Sequence, residues 1–132
     1  MSTDPVELVR RLVEAANRRD LVAAAAMISD DMEFQSTFAA SEGRAFAGPT
    51  AIRDYFAAMD EAFEDVAIAI ERVVDAESDR VLIDVRVRGR GRGSGIVVDH
   101  VYGQLYTMRD GLIVAIASYL DPAEAARSFR DG

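Results

Sequence analysis

Residues 96–121, IVVDHVYGQLYTMRDGLIVAIASYLD, hold the decision about both the fold and the site. Side chains alternate along a strand, so Ile96, Val98, His100, Tyr102, Gln104, Tyr106 and Met108 share one face. Asp110-Gly111, between two runs rich in β-formers, is the strongest short hairpin signal and fits a two-residue type I′ turn. With Arg109 opposite Leu112, an unbroken ladder sets Met108 against Ile113, Tyr106 against Ala115, Gln104 against Ala117, Tyr102 against Tyr119 and His100 against Asp121. Two alanines facing large, polar-tipped side chains read as a cavity wall. The inference hangs on the turn, because a slip of one residue would send every side chain to the opposite face.

Upstream of this hairpin, Asp4-Pro5-Val6-Glu7 has the form of a helix start: an N-cap, a proline at the first helical position, and a glutamate three residues after the cap. Val6, Val9, Leu12, Val13 and Ala16 follow at helical spacing, predicting a helix over about 5–18 and a shorter one from Asp20 to Ile28. Asp30-Asp31 breaks that pattern, and Met32 to Phe38 can form a short strand whose partner is open. After Gly48-Pro49-Thr50, a helix places Ile52, Tyr55, Phe56, Met59 and Phe63 on one face. Strands are expected at about 65–74, 80–92, 95–109 and 112–120, and Asp121-Pro122-Ala123-Glu124 starts a final helix. Helices first and a meander afterwards indicate an α+β chain with helices on one face of the sheet. The 132 residues are expected to form one domain, 1–132, able to bury a core without metal or disulfide.

Composition narrows the function. There is no cysteine, which removes thiolate catalysis and thiolate metal sites, and one histidine argues against a histidine-rich metal centre. No metal and no cofactor are expected. A net charge of -8 disfavours nucleic acid and anionic membranes as partners. Arg86, Arg88, Arg90 and Arg92 alternate on a strand and form a local basic stripe able to meet an anion, although a Gly93-Ser94 turn would place Arg88 opposite Asp99 on a solvated face. The opening MSTDPVELVRR lacks a signal-peptide core, and the longest apolar run, Leu21 to Ile28, is too short to span a bilayer, so a soluble, cytoplasmic protein is expected. Basic residues that are all arginine, with abundant alanine, suggest a GC-rich bacterial genome.

The segments VELVRRLVEAANRRD, GRAFAGPTAIRDYF, RGRGRGSGIVVD and LYTMRDGLIVAIASYLDPAEA together resemble the SnoaL-like group of the nuclear transport factor 2-like superfamily. The resemblance implies a cone-shaped curved antiparallel sheet with the N-terminal helices packed over its concave face around a pocket. That superfamily includes polyketide cyclases, ketosteroid isomerases, limonene epoxide hydrolases and noncatalytic ligand binders, so function must be argued from the site. By resemblance, Asp121 matches the acidic residue that often ends the last strand and serves as acid or base in the cyclases. Gln104 stands where many relatives carry a histidine. The Asp-Arg-Asp set of the epoxide hydrolases has only a loose echo in Asp84, Arg86 and Asp121, with the first two on the opposite face.

The residues themselves offer two readings each. Asp121 and His100 are the candidate acid/base pair, since a carboxylate beside an imidazole favours its protonated form and orients it. Asp121 is equally explained as a helix cap, and His100 as a strand-end residue. Tyr102, Gln104, Tyr106 and Tyr119 are candidate ligand contacts, joined from the helix side by Phe34, Phe38, Phe46, Tyr55, Phe56, Met59 and Phe63, most of them core. The expected function is binding of a small hydrophobic molecule, with cofactor-independent acid/base chemistry such as cyclisation, isomerisation or hydrolysis of a polyketide- or steroid-like compound. The alternative is a noncatalytic binder or a dimerising adaptor, which a cavity below roughly 300 Å³ would favour. Val101, Leu105, Val114, Ile116 and Leu120 on the outer face of the hairpin predict a homodimer through the sheet.

Overall fold

The computed structural model describes residues 4–36 and 45–132. Phe38, expected to line the pocket, lies outside the described residues, as does the end of the strand expected to reach it. Helix α1 (Pro5–Asn17) starts as its sequence dictates: the Asp4 carboxylate accepts from the Val6 amide at 2.9 Å and Pro5 occupies the first turn. Its buried stripe is Leu8, Val9, Leu12, Val13, Ala15 and Ala16. The second helix, α2 (Leu21–Ala26), ends earlier than expected, and β1 (Ile28–Gln35) begins ahead of Asp30-Asp31, where a strand was expected only from Met32. Asp30 and Asp31 fit because the strand irregularity between Ile28 and Glu33 leaves both side chains exposed while Met32 and Phe34 remain buried.

A two-residue β2 (Phe46–Ala47) precedes α3 (Ala51–Ala62), which buries Ile52, Tyr55, Phe56 and Met59. Phe63 is not on that helix; it has extended backbone (φ -134°, ψ 152°) and opens β3 (Phe63–Ala76). Strands β4 (Arg80–Gly91), β5 (Val97–Arg109) and β6 (Leu112–Tyr119) follow, then α4 (Pro122–Asp131). The strands form one curved, open sheet in the order β2-β1-β6-β5-β4-β3, antiparallel throughout except for β1, which joins β6 in parallel.

Two clamps tie the helices to one another and to the sheet. Arg19, at φ 55°, donates to the Ala16 carbonyl (2.8 Å) and to both oxygens of Asp60 (2.9 and 2.7 Å), with its guanidinium 4.5 Å from the centre of the Phe56 ring. This joins the end of α1 to α3. The Asn17 amide pairs with both backbone groups of Ile68, accepting from its N–H at 2.9 Å, and so satisfies part of the free edge of β3.

The Asp110-Gly111 turn has positive φ at both residues (55° and 78°), as a type I′ turn requires. Arg109 pairs with Leu112 and Met108 with Ile113, as expected. The ladder then slips by one residue: Thr107 faces Ala115, Tyr106 faces Ile116, Leu105 faces Ala117, Gln104 faces Ser118 and Gly103 faces Tyr119. Val114 is the extra residue of a bulge, and beyond it every side chain of β6 lies on the face opposite to that of the unbroken ladder. The physical reason is packing. Ile116, 3% exposed, fills the core against Tyr106, whereas the small Ala115 and Ala117 suit the other face.

The same slip corrects the expected outer patch. Ile116 belongs to the inner core, and α4 covers Leu82 and Leu105 through Ala125 and Phe129, with Tyr119 alongside. Gly103 is required there: a Cβ would lie 2.5 Å from the Ala125 Cβ and 3.0 Å from the Pro122 Cα. The arginine stripe lies on this outer side and is matched by acids. Arg86 pairs with Glu71 and with Asp99 (2.9 Å), Arg88 with Asp99 (3.5 Å), Arg72 with Asp84 (2.9 Å), and Arg92 approaches Glu64 (3.8 Å). It is a ladder of ion pairs and not a bare cationic surface.

Candidate functional site

The inward face of β4 presents Val81, Ile83, Val85 and Val87, and β5 sets Tyr106, Gln104, Tyr102 and His100 directly across from them in reverse order. Toward the open end, β4 changes from valine to Gly89, whose missing side chain leaves room beside Phe63 and Val66. The space so formed is a cavity of about 70 Å³. Its polar wall comes from Ser36, Tyr55, Tyr102, Gln104 and Ser118; its apolar wall includes Met59, Phe63, Ile68, Val87 and Val98. A deeper hollow of about 30 Å³ shares Tyr55, Ile68 and Gln104 and adds Phe34, Phe56, Tyr106 and Ile116. Much of the cone is filled by its own rings: Tyr55 lies 4.6 Å from Phe34, 5.1 Å from Phe56 and 5.7 Å from Phe46 between ring centres.

The expected site residues therefore divide into groups. Tyr55, Met59, Tyr102 and Gln104 line the outer cavity, while Phe34, Phe56 and Tyr106 line the inner one. His100 lies on the same strand face but at the exposed rim, its Nε2 2.9 Å from the Leu120 carbonyl and its ring 4.5 Å from that of Tyr102, edge to face. The expected cross-strand pairing of His100 with Asp121, and of Tyr102 with Tyr119, is absent because of the bulge. Asp121 is exposed and caps α4, accepting from the Ala123 amide at 2.9 Å. Tyr119 is on the outer side, where its hydroxyl donates to Ser128 Oγ at 2.9 Å. Ser118 takes the place across from Gln104 that Ala117 was expected to hold. Phe63 lines the cavity as expected, although from the start of β3 and not from a helix, whereas Ser36, Ser118 and Gly89 were not foreseen, and for Ser118 the signal was hidden by the slip.

The cavity wall is electrically quiet. Burial pushes Tyr55 up to about 12, with a hydrogen bond from Ser36 opposing part of the rise, and burial likewise raises Tyr102 and Tyr106. These phenols stay protonated near neutral pH and act as neutral donors. Arg88 is the one charged residue on the cavity's border among the described residues, and it is largely exposed and turned toward Asp99. Among the described residues no three His, Cys, Asp or Glu stand together as metal ligands, and no helix is long and apolar enough to cross a membrane.

The sequence that builds this sheet and its helices matches the model of a known family, the SnoaL-like domain, over residues 9–116. The chain belongs to the SnoaL-like domain family. Solved structures agree on the fold. A Catenulispora acidiphila protein with a ketosteroid isomerase-like fold, in complex with trimethylamine, superposes with a TM-score of 0.74 at 21% identity, over 89% of this chain and 86% of that one. A candidate polyketide cyclase from Xanthomonas campestris gives 0.66 at 22% identity, over 90% and 91%. A Mycobacterium tuberculosis protein in complex with estradiol-17beta-hemisuccinate gives 0.73 at 15% identity, over 88% and 92%. A comparison with curated proteins finds no match. In this SnoaL-like chain the cone is thus assigned by family and geometry together, while its chemistry rests on its own side chains.

Proposed function

We propose that this SnoaL-like protein binds a small, neutral, mainly apolar molecule in the mouth of its cone and holds a polar group of that molecule against Tyr102, Gln104 and Ser118. The observation that carries the reading is the wall itself, apolar on one side and lined on the other with uncharged hydroxyl and amide groups, which is the usual make-up of a small-molecule pocket. The ligand held by one structural neighbour, an estradiol ester, supports a cone that takes an apolar carbon skeleton. With about 70 Å³ enclosed, only a few heavy atoms enter, and a larger molecule leaves part of its skeleton at the rim.

The enzymatic form of the proposal is cofactor-independent proton transfer on that ligand. There His100 is the group to move the proton, because it shares the cavity's strand face and abuts Tyr102. Asp121 takes part only if it leaves its cap. Of the noncatalytic forms, the dimerising adaptor is favoured by the small volume and the aromatic filling, and the ligand binder by the exposure of both His100 and Asp121. A homodimer through the outer face, where a surface groove of about 360 Å³ runs along Leu105, Thr107, Ala115 and Ala117, belongs to both forms, and sedimentation of the purified protein decides it.

The test is a titration of labelled protein with cyclic ketones of increasing size, from cyclopentanone to a steroid enone, followed by amide and side-chain resonances. Saturable shifts centred on Tyr102, Gln104 and Ser118 are expected. No shift across the series at millimolar concentration, or shifts confined to the outer face, would overturn the reading.

A further inference from the structure

We infer that Tyr106 is a positioning residue that turns the Gln104 amide so that its NH₂ faces the cavity, making the site selective for a ligand with a hydrogen-bond-accepting oxygen, a ketone in the simplest case. The inference rests on the binding reading above and adds which polar group the ligand carries. Tyr106 is 3% exposed, and its hydroxyl donates to Gln104 Oε1 at 2.8 Å. A buried phenol must place its proton on an acceptor. Around the inner hollow the other side chains are apolar apart from Tyr55, and it is the Gln104 oxygen that accepts the Tyr106 proton. That fixes the amide. A reversed amide would set NH₂ against the hydroxyl and leave the phenol proton without a partner in the apolar core.

The two hollows then lie on the two ends of one amide. Tyr106 borders only the inner hollow, whereas Gln104 borders both, so with its oxygen held inward its NH₂ end is on the side of the outer cavity. An NH₂ group donates and never accepts. Tyrosine and serine hydroxyls adapt to either partner, so the amide is the element of the wall that sets polarity. Burial holds Tyr106 protonated and keeps the arrangement in place through the physiological range.

The experiment compares cyclohexanone with methylenecyclohexane, which has the same shape and no acceptor oxygen, in wild type, Gln104→Met and Tyr106→Phe, each first checked for an unchanged amide spectrum. Wild type is expected to prefer the ketone by on the order of tenfold, and the carbonyl carbon of bound ¹³C-labelled cyclohexanone should move downfield as it accepts a hydrogen bond. Gln104→Met should bring the ratio close to one and abolish the shift while retaining both probes. Tyr106→Phe, which leaves the amide free to turn, should lower the ratio to an intermediate value. Equal affinity for both probes in wild type overturns the inference and leaves the binding reading standing, whereas no detectable binding of either ends both. An unchanged ratio in Tyr106→Phe removes the positioning role. If a variant fails to fold, the wild type still decides the polarity: a through-space contact between the bound ¹³C carbonyl and the Gln104 side-chain NH₂ protons is expected, and its absence in the bound state overturns the inference.

Discussion

The two faces of the sheet are made by the same strands, yet they have become different kinds of surface. The inner face carries branched aliphatics, tyrosines and an amide around a small hollow; the outer face carries alanine, glycine and ion-paired arginine beneath or beside α4. One residue, Val114, sorts them. Before the bulge the turn dictates the pairing, and after it the packing does. Local turn chemistry therefore governs only the first two rungs of this ladder, and the volume of the side chains that must be buried governs the rest.

The sharpest way to break this comparison is Ile116→Ala. If Ile116 is core, as its 3% exposure states, the variant loses about 3 kcal/mol in denaturant unfolding; a loss below about 0.5 kcal/mol would return it to the outer face. Next comes Gly103→Ala on the opposite face. The new methyl has to displace Ala125 and Pro122, so a loss of about 2 kcal/mol is expected, with the inner cavity's resonances unmoved.

A smaller effect tests the clamp that holds the helices over the inner face. The hydrogen bonds from Arg19 hold the Asp60 carboxyl below the usual carboxylate range. Because the folded value is depressed, the pair's contribution is present above the unfolded value of about 3.9 and is lost as pH falls through the lower folded one. Asp60→Asn should therefore cost about 1 kcal/mol at pH 7, a figure already reduced for screening since the Asp60 side chain is 42% exposed, and the gap to wild type should close in acid. A gap independent of pH down to 2 would mean that the charge is not what stabilises. The smallest expected change separates capping from catalysis. Asn caps as well as Asp, so Asp121→Asn should alter stability by less than about 0.5 kcal/mol and leave ligand affinity untouched; a lost activity on an identified substrate would place this carboxylate in the chemistry after all.

These outcomes bear on how much was legible beforehand. Asp4-Pro5 and Asp121-Pro122 announce their helices, and Asp110-Gly111 announces its turn, because caps and tight turns depend on a few neighbouring atoms. The face shared by Tyr102, Gln104 and Tyr106 follows from alternation alone. The Asp121 side of the candidate site did not follow. Ile113-Val114-Ala115-Ile116-Ala117 is apolar at every position, so no polar residue marks which parity faces water, and a one-residue bulge leaves no trace in such a run. Phe63 was misplaced for a related reason: its spacing continued the pattern of α3, and only its pairing with Gly91 in the sheet drew it into β3.

By itself the chain determined the order of its elements, the hairpin turn, the helix starts and the membership of one face of β5, all of which are set by contacts between residues close in sequence. The tertiary structure decided which face of β6 meets the cavity, that Ser118 and not Ala117 stands across from Gln104, and that Tyr119 and Asp121 serve α4. The reason is that register past a bulge is chosen by the volume available between sheet and helices, a quantity that exists only once both are in place.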